Sequence, residues 1–256
     1  MPPESQLYWP LTVLVVSLRV GAVVLMTPVF NFINLPVRIR VLLVLALSAV
    51  LVTSLDLKLP AAALQSPAGL ATAAAGELAI GSVLAFALFA TFAAFQLGGR
   101  ILDVQLGFGV AGLVDPATNV TAPLLGMLLN LAAVITFFQV GGHELLMRGL
   151  AFSLTQVQPG SALHALSLPA VVAQFGALFV SAAAIAAPVM VVVLLVDVAM
   201  AMMARTMPQM NILFVGLPLK ILVGLTVLAF TLDFFGPLYA AIFAQLFSAW
   251  QAMLTP

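Results

Sequence analysis

The chain has no cysteine. That excludes disulfides, thiolate metal sites and a cysteine nucleophile, and it leaves the compartment open. Charge is nearly as scarce: of 256 residues only 6% are Asp, Glu, Lys or Arg, while 64% are hydrophobic. A soluble domain carries about 25% charged residues. A chain this poor in charge cannot cover itself with a water-facing surface, so most of its outside faces lipid or other apolar protein. Acidic and basic residues balance at net zero, which leaves no basic nucleic-acid face and no acidic tail. Only two histidines occur, His143 and His164, with no partner at helical metal spacing. His143 and Glu144 are adjacent and point to different faces of a helix. No phosphate-binding loop of the Walker type is present, and the glycines of LGFGVAG lack a strand-to-helix setting. No catalytic set, cofactor site or metal site is expected. An aspartyl pair from Asp197 and Asp233 has nothing around it to mark it.

What is abundant is apolar sequence. Six main segments cover roughly residues 10–30, 41–55, 76–97, 120–140, 171–196 and 212–250. In lipid the backbone must satisfy its own hydrogen bonds, which leaves helices or a closed barrel. Continuous runs such as VVVLLV lack the alternation of barrel strands. The expected fold class is therefore all-α, a polytopic helical membrane-type protein with kinked helices and hairpins. The N-terminal MPPESQLYWP carries Glu4 and no cation, unlike a cleavable leader, so the first apolar run reads as a retained helix. The last run suits two helices, or one broken near Gly236-Pro237. Residues 41–55 would rise only about 22 Å as a helix, against about 30 Å of hydrocarbon. Arg19 interrupts the first run, and Pro28 and Pro188 promise kinks. Small residues at four-residue spacing, such as Ala182 with Ala186, let helices approach closely. With six crossings, Arg38, Arg40, Arg100, Arg205 and Lys220 fall on one side, and Lys58 and Arg148 on the other. The positive-inside bias puts the larger set in the cytoplasm.

Three groups of residues are candidates for a role. Residues 105–119, QLGFGVAGLVDPATN, join Gly107, Gly109 and Gly112 to the apolar Phe108, Val110, Leu113 and Val114, and end on the turn-forming Asp115-Pro116. So many apolar side chains are out of place in a solvent loop. A re-entrant loop or channel plug is one reading, since irregular backbone at membrane depth is tolerated inside protein or around an aqueous cavity. A packed turn is the other. The second stretch, 204–220, ARTMPQMNILFVGLPLK, is a polar interruption with Arg205, Gln209, Asn211, Pro218 and Lys220. The third group is Glu77, Asp197 and Asp233, at the edges of apolar runs. Such groups face a bundle interior or a wet cavity, or sit at an interface. Asp197 and Arg205, two turns apart, suggest a polar seam with methionines between them. The cluster Met190, Met200, Met202, Met203, Met207 and Met210 reads first as adaptable packing, then as a deformable seal.

Four stretches in order, LRVGAVVLMTPVFNFINLPVRIR (18–40), GELAIGSVLAFAL (76–88), GGRILDVQLGFGVAGLVDPATN (98–119) and PQMNILFVGLPLK (208–220), resemble the flagellar biosynthetic FliR family and its injectisome relatives. The resemblance implies a core subunit of the type III export gate in the bacterial inner membrane, within the flagellar basal body or secretion apparatus. It further implies assembly with FliP-like and FliQ-like subunits, an FlhB-like subunit around the base, and passage of unfolded protein substrates. It implies a FliP-like part over 1–170, with the loop near 105–119 as plug, and a FliQ-like hairpin over 171–256. The hairpin loop, near 205–220, would meet partner chains. A self-contained secondary transporter or channel is the alternative. It calls for a midplane polar site and an internal repeat, and neither is evident.

Overall fold

The computed structural model describes residues 3–27, 36–108, 123–161, 166–207 and 212–254, without the side chains of residues 3–7, 212–213 and 232–235. Every regular element among them is helical: α1 (Pro3–Met26), α2 (Val37–Ser54), α3 (Ala61–Leu64), α4 (Pro67–Leu106), α5 (Leu124–Gln139), α6 (Gly142–Gln156), α7 (Leu168–Thr206) and α8 (Ile212–Leu254). The expected all-α class holds. Five of these helices are long and apolar enough to cross a membrane, and α5 with α6 would make a sixth if the pair is one span.

The helices outrun the apolar segments. α4, α7 and α8 have 40, 39 and 43 residues, each about 60 Å long and about twice a hydrocarbon core. α8 does not break at Gly236-Pro237. It runs on through both Pro218 and Pro237. One proline forfeits one backbone bond, whereas unwinding in apolar surroundings would strand several. Pro188 likewise lies inside α7, and Pro28 lies outside the described residues. α6 was not expected, because its sequence, GHELLMRGLAFSLTQ, is too polar to register as an apolar run. Arg100 and Arg148 stand within α4 and α6, not in loops.

The chain forms two compact units, 1–91 with 141–175 and 243–256, and 92–140 with 176–242. In the first, close approach depends on glycine. A Cβ on Gly81 would lie 2.8 Å from the Arg19 Cα, and one on Gly149 would lie 2.6 Å from the Trp250 ring. Trp250 is buried, and its indole N–H donates to the Leu84 carbonyl at 3.1 Å. In the second unit Ala182 and Ala186 are both fully buried, as their spacing suggested. A Cβ on Gly98 would lie 3.0 Å from the Ala182 carbonyl. Phe92 packs on Phe137 and Phe95 edge-on to Tyr239, at ring separations of 5.7 and 4.6 Å.

Candidate functional site

In the first unit, Arg19 of α1 and Glu77 of α4 are buried together, at 0% and 1% side-chain exposure. The guanidinium meets the carboxylate through two parallel bonds, Nε to Oε2 and Nη2 to Oε1, each 2.8 Å. Its other N–H groups reach the C-terminal end of α6. Nη1 donates to the Ser153 carbonyl at 2.8 Å and to Ser153 Oγ at 3.4 Å, and Nη2 donates to the Val157 carbonyl at 3.0 Å. A helix end leaves carbonyls without intrahelical partners and carries partial negative charge, so a cation fits there. The Gly160 amide donates to Glu77 Oε1 at 3.4 Å. All five guanidinium N–H donors are thereby accounted for. Glu77 thus faces the bundle interior, one of the settings expected of it, where it neutralises the arginine that had seemed to spoil the first span.

In the second unit the expected plug begins at Gly107 and Phe108, directly after α4. Gly109, Val110, Gly112, Leu113, Val114, Asp115 and Pro116 lie outside the described residues. What the structure describes is the stem. Asp103, 5% exposed in the last turn of α4, accepts from the first amides of α5: Leu125 N–H to Oδ1 at 3.0 Å and Gly126 N–H to Oδ2 at 3.2 Å. No side chain at the Pro123 cap does this work; a carboxylate from another helix does, and the helix N-terminus favours its charge. Below it, a Cβ on Gly99 would lie 2.4 Å from the Gly126 Cα, so the two backbones touch. Gly107 leaves the helix at φ +86°, facing the Leu217 side chain. The chain therefore leaves α4 and enters α5 at one fastened base. Sequence reading missed Asp103. Its partners are backbone amides 22 and 23 residues away, and its position in the last turn of a helix before a glycine-rich loop was the available signal.

The polar stretch 204–220 is less of a loop than expected. α7 continues to Thr206 and α8 starts at Ile212. Pro218 and Lys220 are therefore helical, and Arg205 is exposed on the last turn of α7, where a cation suits the helix end. Gln209 and Asn211 fall outside the described residues. Asp197 pairs with Lys220 at 2.9 Å, with side chains 41% and 22% exposed; the sequence suggested a seam shared with Arg205, and the ion-pair partner comes instead from the next helix. Asp197 lies nine residues before the end of α7 and Lys220 eight after the start of α8, as two helices folding back on one another require. The side chain of Asp233, Met210 and His164 are outside the described residues. Met200 is buried, while Met202, Met203 and Met207 are exposed.

Much of α7 and α8 is bare. Only 11% of the 214–231 window is buried, against 61% for the corresponding window of α4. Phe214, Leu222 and Phe230 are each at least 65% exposed.

The sequence model of the bacterial export proteins, family 1, matches residues 11–246. The chain belongs to this family. It is 31% identical to the flagellar biosynthetic protein FliR of Bacillus subtilis (strain 168), over 84% of this chain and 83% of that one. It is 26% identical to FliR of Escherichia coli (strain K12), over 94% and 89%. The surface presentation of antigens protein SpaR of Shigella flexneri is 28% identical over 59% of each chain. The family places the protein in the type III secretion and flagellar export apparatus, and its apolar helices place it in a membrane.

Proposed function

We propose that the protein is a core subunit of the export gate, built with FliP-like and FliQ-like subunits into a protein-conducting channel for unfolded substrates. An FlhB-like subunit surrounds the base, and the assembly resides in the bacterial inner membrane. The chain is non-enzymatic and draws energy from elsewhere. Residues 1–170 supply the FliP-like part and 171–256 the FliQ-like hairpin, whose end, with Arg205, Gln209, Asn211, Pro218 and Lys220, meets neighbouring subunits. The bare apolar faces of α7 and α8 supply docking surface for those neighbours.

The observation that carries the reading is the fastened stem. The Asp103 carboxylate and the Gly99–Gly126 contact hold the end of α4 against the start of α5, which supports a plug reading of the loop between them, with Phe108, Val110, Leu113 and Val114 as its apolar residues. In this reading those residues seal the conduit at rest and give way to a substrate. Deleting residues 107–114 is expected to leave the complex assembled and to make it conduct ions, as read by conductance across a planar bilayer. An assembled deletion complex that conducts no more than wild type would overturn the plug.

A further inference from the structure

A second feature lies in the first unit, apart from the ion cluster. A half-open cavity of about 540 Å3 is framed by the N-terminal part of α1, the C-terminal end of α2 and α3. That volume is within the range of small-ligand sites, roughly 300–1,000 Å3. Its depth relative to a membrane follows from the helices that frame it. The apolar run in α1 follows the polar Glu4-Ser5-Gln6, and α2 ends at Ser54, just before Asp56 and Lys58. Tyr8, Trp9, Thr53 and Asp56 line the cavity. It therefore opens where both spans reach the water interface, the level at which Trp and Tyr gather in membrane proteins. Tyr8 and Trp9 are 43% and 49% exposed, and the Trp9 indole is oriented by a 3.3 Å bond to Thr53 Oγ1.

The rim is charged and neutral overall. α2 ends in a left-handed residue, Asp56 at φ +46°, with the Leu57 amide bonded back to the Val52 carbonyl at 3.1 Å. This is the six-to-one closure of a helix C-terminus. The turn sets Asp56 and Lys58 on the cavity edge, 3.0 Å apart and 84% and 77% exposed. They are the charged residues among those lining the cavity. An ion pair so exposed costs little to open, and opening it presents one anion and one cation beside an aromatic wall and an apolar floor.

We infer that this cavity binds the headgroup and glycerol region of a zwitterionic glycerophospholipid. The headgroup ammonium lies against Asp56 and the aromatic faces of Tyr8 and Trp9, which attract cations. The phosphate lies on Lys58, and the upper acyl chain lies on the apolar floor. An anionic lipid would gain Lys58 and meet Asp56. Charge complementarity therefore selects a headgroup that carries both signs.

The test is native mass spectrometry of the detergent-purified export complex containing this chain, titrated with palmitoyl-oleoyl phosphatidylethanolamine or phosphatidylglycerol. Wild type is expected to retain the ethanolamine lipid in preference. Trp9→Ala should weaken that retention about fivefold. Asp56→Asn, which keeps a residue tolerant of the left-handed turn, should raise phosphatidylglycerol retention about fivefold and erase the preference. Both positions are exposed, so neither change threatens folding. Lipid retention indifferent to both substitutions overturns the site. So does a photo-crosslinking residue at position 9 that captures a partner polypeptide and no lipid, because the cavity is then a protein interface.

Discussion

Two ion pairs in this protein are alike in chemistry and opposite in setting. Arg19 and Glu77 are sealed in the first unit, with every guanidinium donor in use. Lys220 and Asp197 in the second are partly exposed, and among the described residues the lysine's three donors meet one carboxylate. The first pair tolerates burial because the fork geometry of arginine matches a carboxylate and a helix end at once. The second stays near water or a neighbouring chain, as a compact ammonium does. Buried ion pairs are costly to break and modest in net worth, while exposed ones contribute little either way. The first pair therefore specifies how α1, α4 and α6 meet, and the second remains available to a partner.

The largest effect should follow from breaking the sealed pair on one side. Arg19→Ala leaves Glu77 buried without its cation and is expected to cost about 3–5 kcal/mol, read as lost yield and a lower unfolding temperature in detergent. Replacing both at once, Arg19→Met with Glu77→Leu, should recover much of that loss. If the double variant is as unstable as the single, the cost lies in packing and the contrast fails. Next comes the stem. Asp103→Ala should cost about 1–2 kcal/mol as a lost helix cap and speed hydrogen exchange at the Leu125 and Gly126 amides. If the loop is a plug, the same change makes the assembled complex leak with no residue of the loop altered. The smallest effect on stability belongs to the open pair. Lys220→Ala should change it by no more than about 1 kcal/mol, while co-purification of neighbouring subunits falls and becomes less sensitive to salt. A loss of stability as large as that of Arg19→Ala would erase the difference between the two pairs.

Hydropathy made the helices readable, since a run such as 171–196 has no other structure open to it in lipid. The small-residue spacing of Ala182 and Ala186 foretold a close contact. The rest was hidden for physical reasons. Arg19 and Glu77 are 58 residues apart, and the Ser153 carbonyl is 134 from Arg19, so each looks like a defect in an apolar run until the other is seen. Asp103 acts on backbone amides, which leave no side-chain signature. Pro218 and Pro237 suggested boundaries, because sequence counts the lost hydrogen bond and not the surroundings that make any other backbone costlier. α6 escaped notice because its exposed face carries His143, Glu144, Arg148 and Gln156, which interrupt any apolar run.

The sealed cluster also sets a schedule for synthesis. When α1 leaves the ribosome, Arg19 has neither carboxylate nor helix end to meet, and a lone arginine at mid-bilayer is penalised on insertion by about 2.5–3.5 kcal/mol. Its last acceptors are made 134 and 138 residues later, roughly seven to thirty seconds at about 5–20 residues per second. For that interval the nascent first segment must wait at the translocon or lean on hydrated headgroups. Slowing translation before residue 157 should therefore expose this helix to quality-control proteolysis more than any other in the chain.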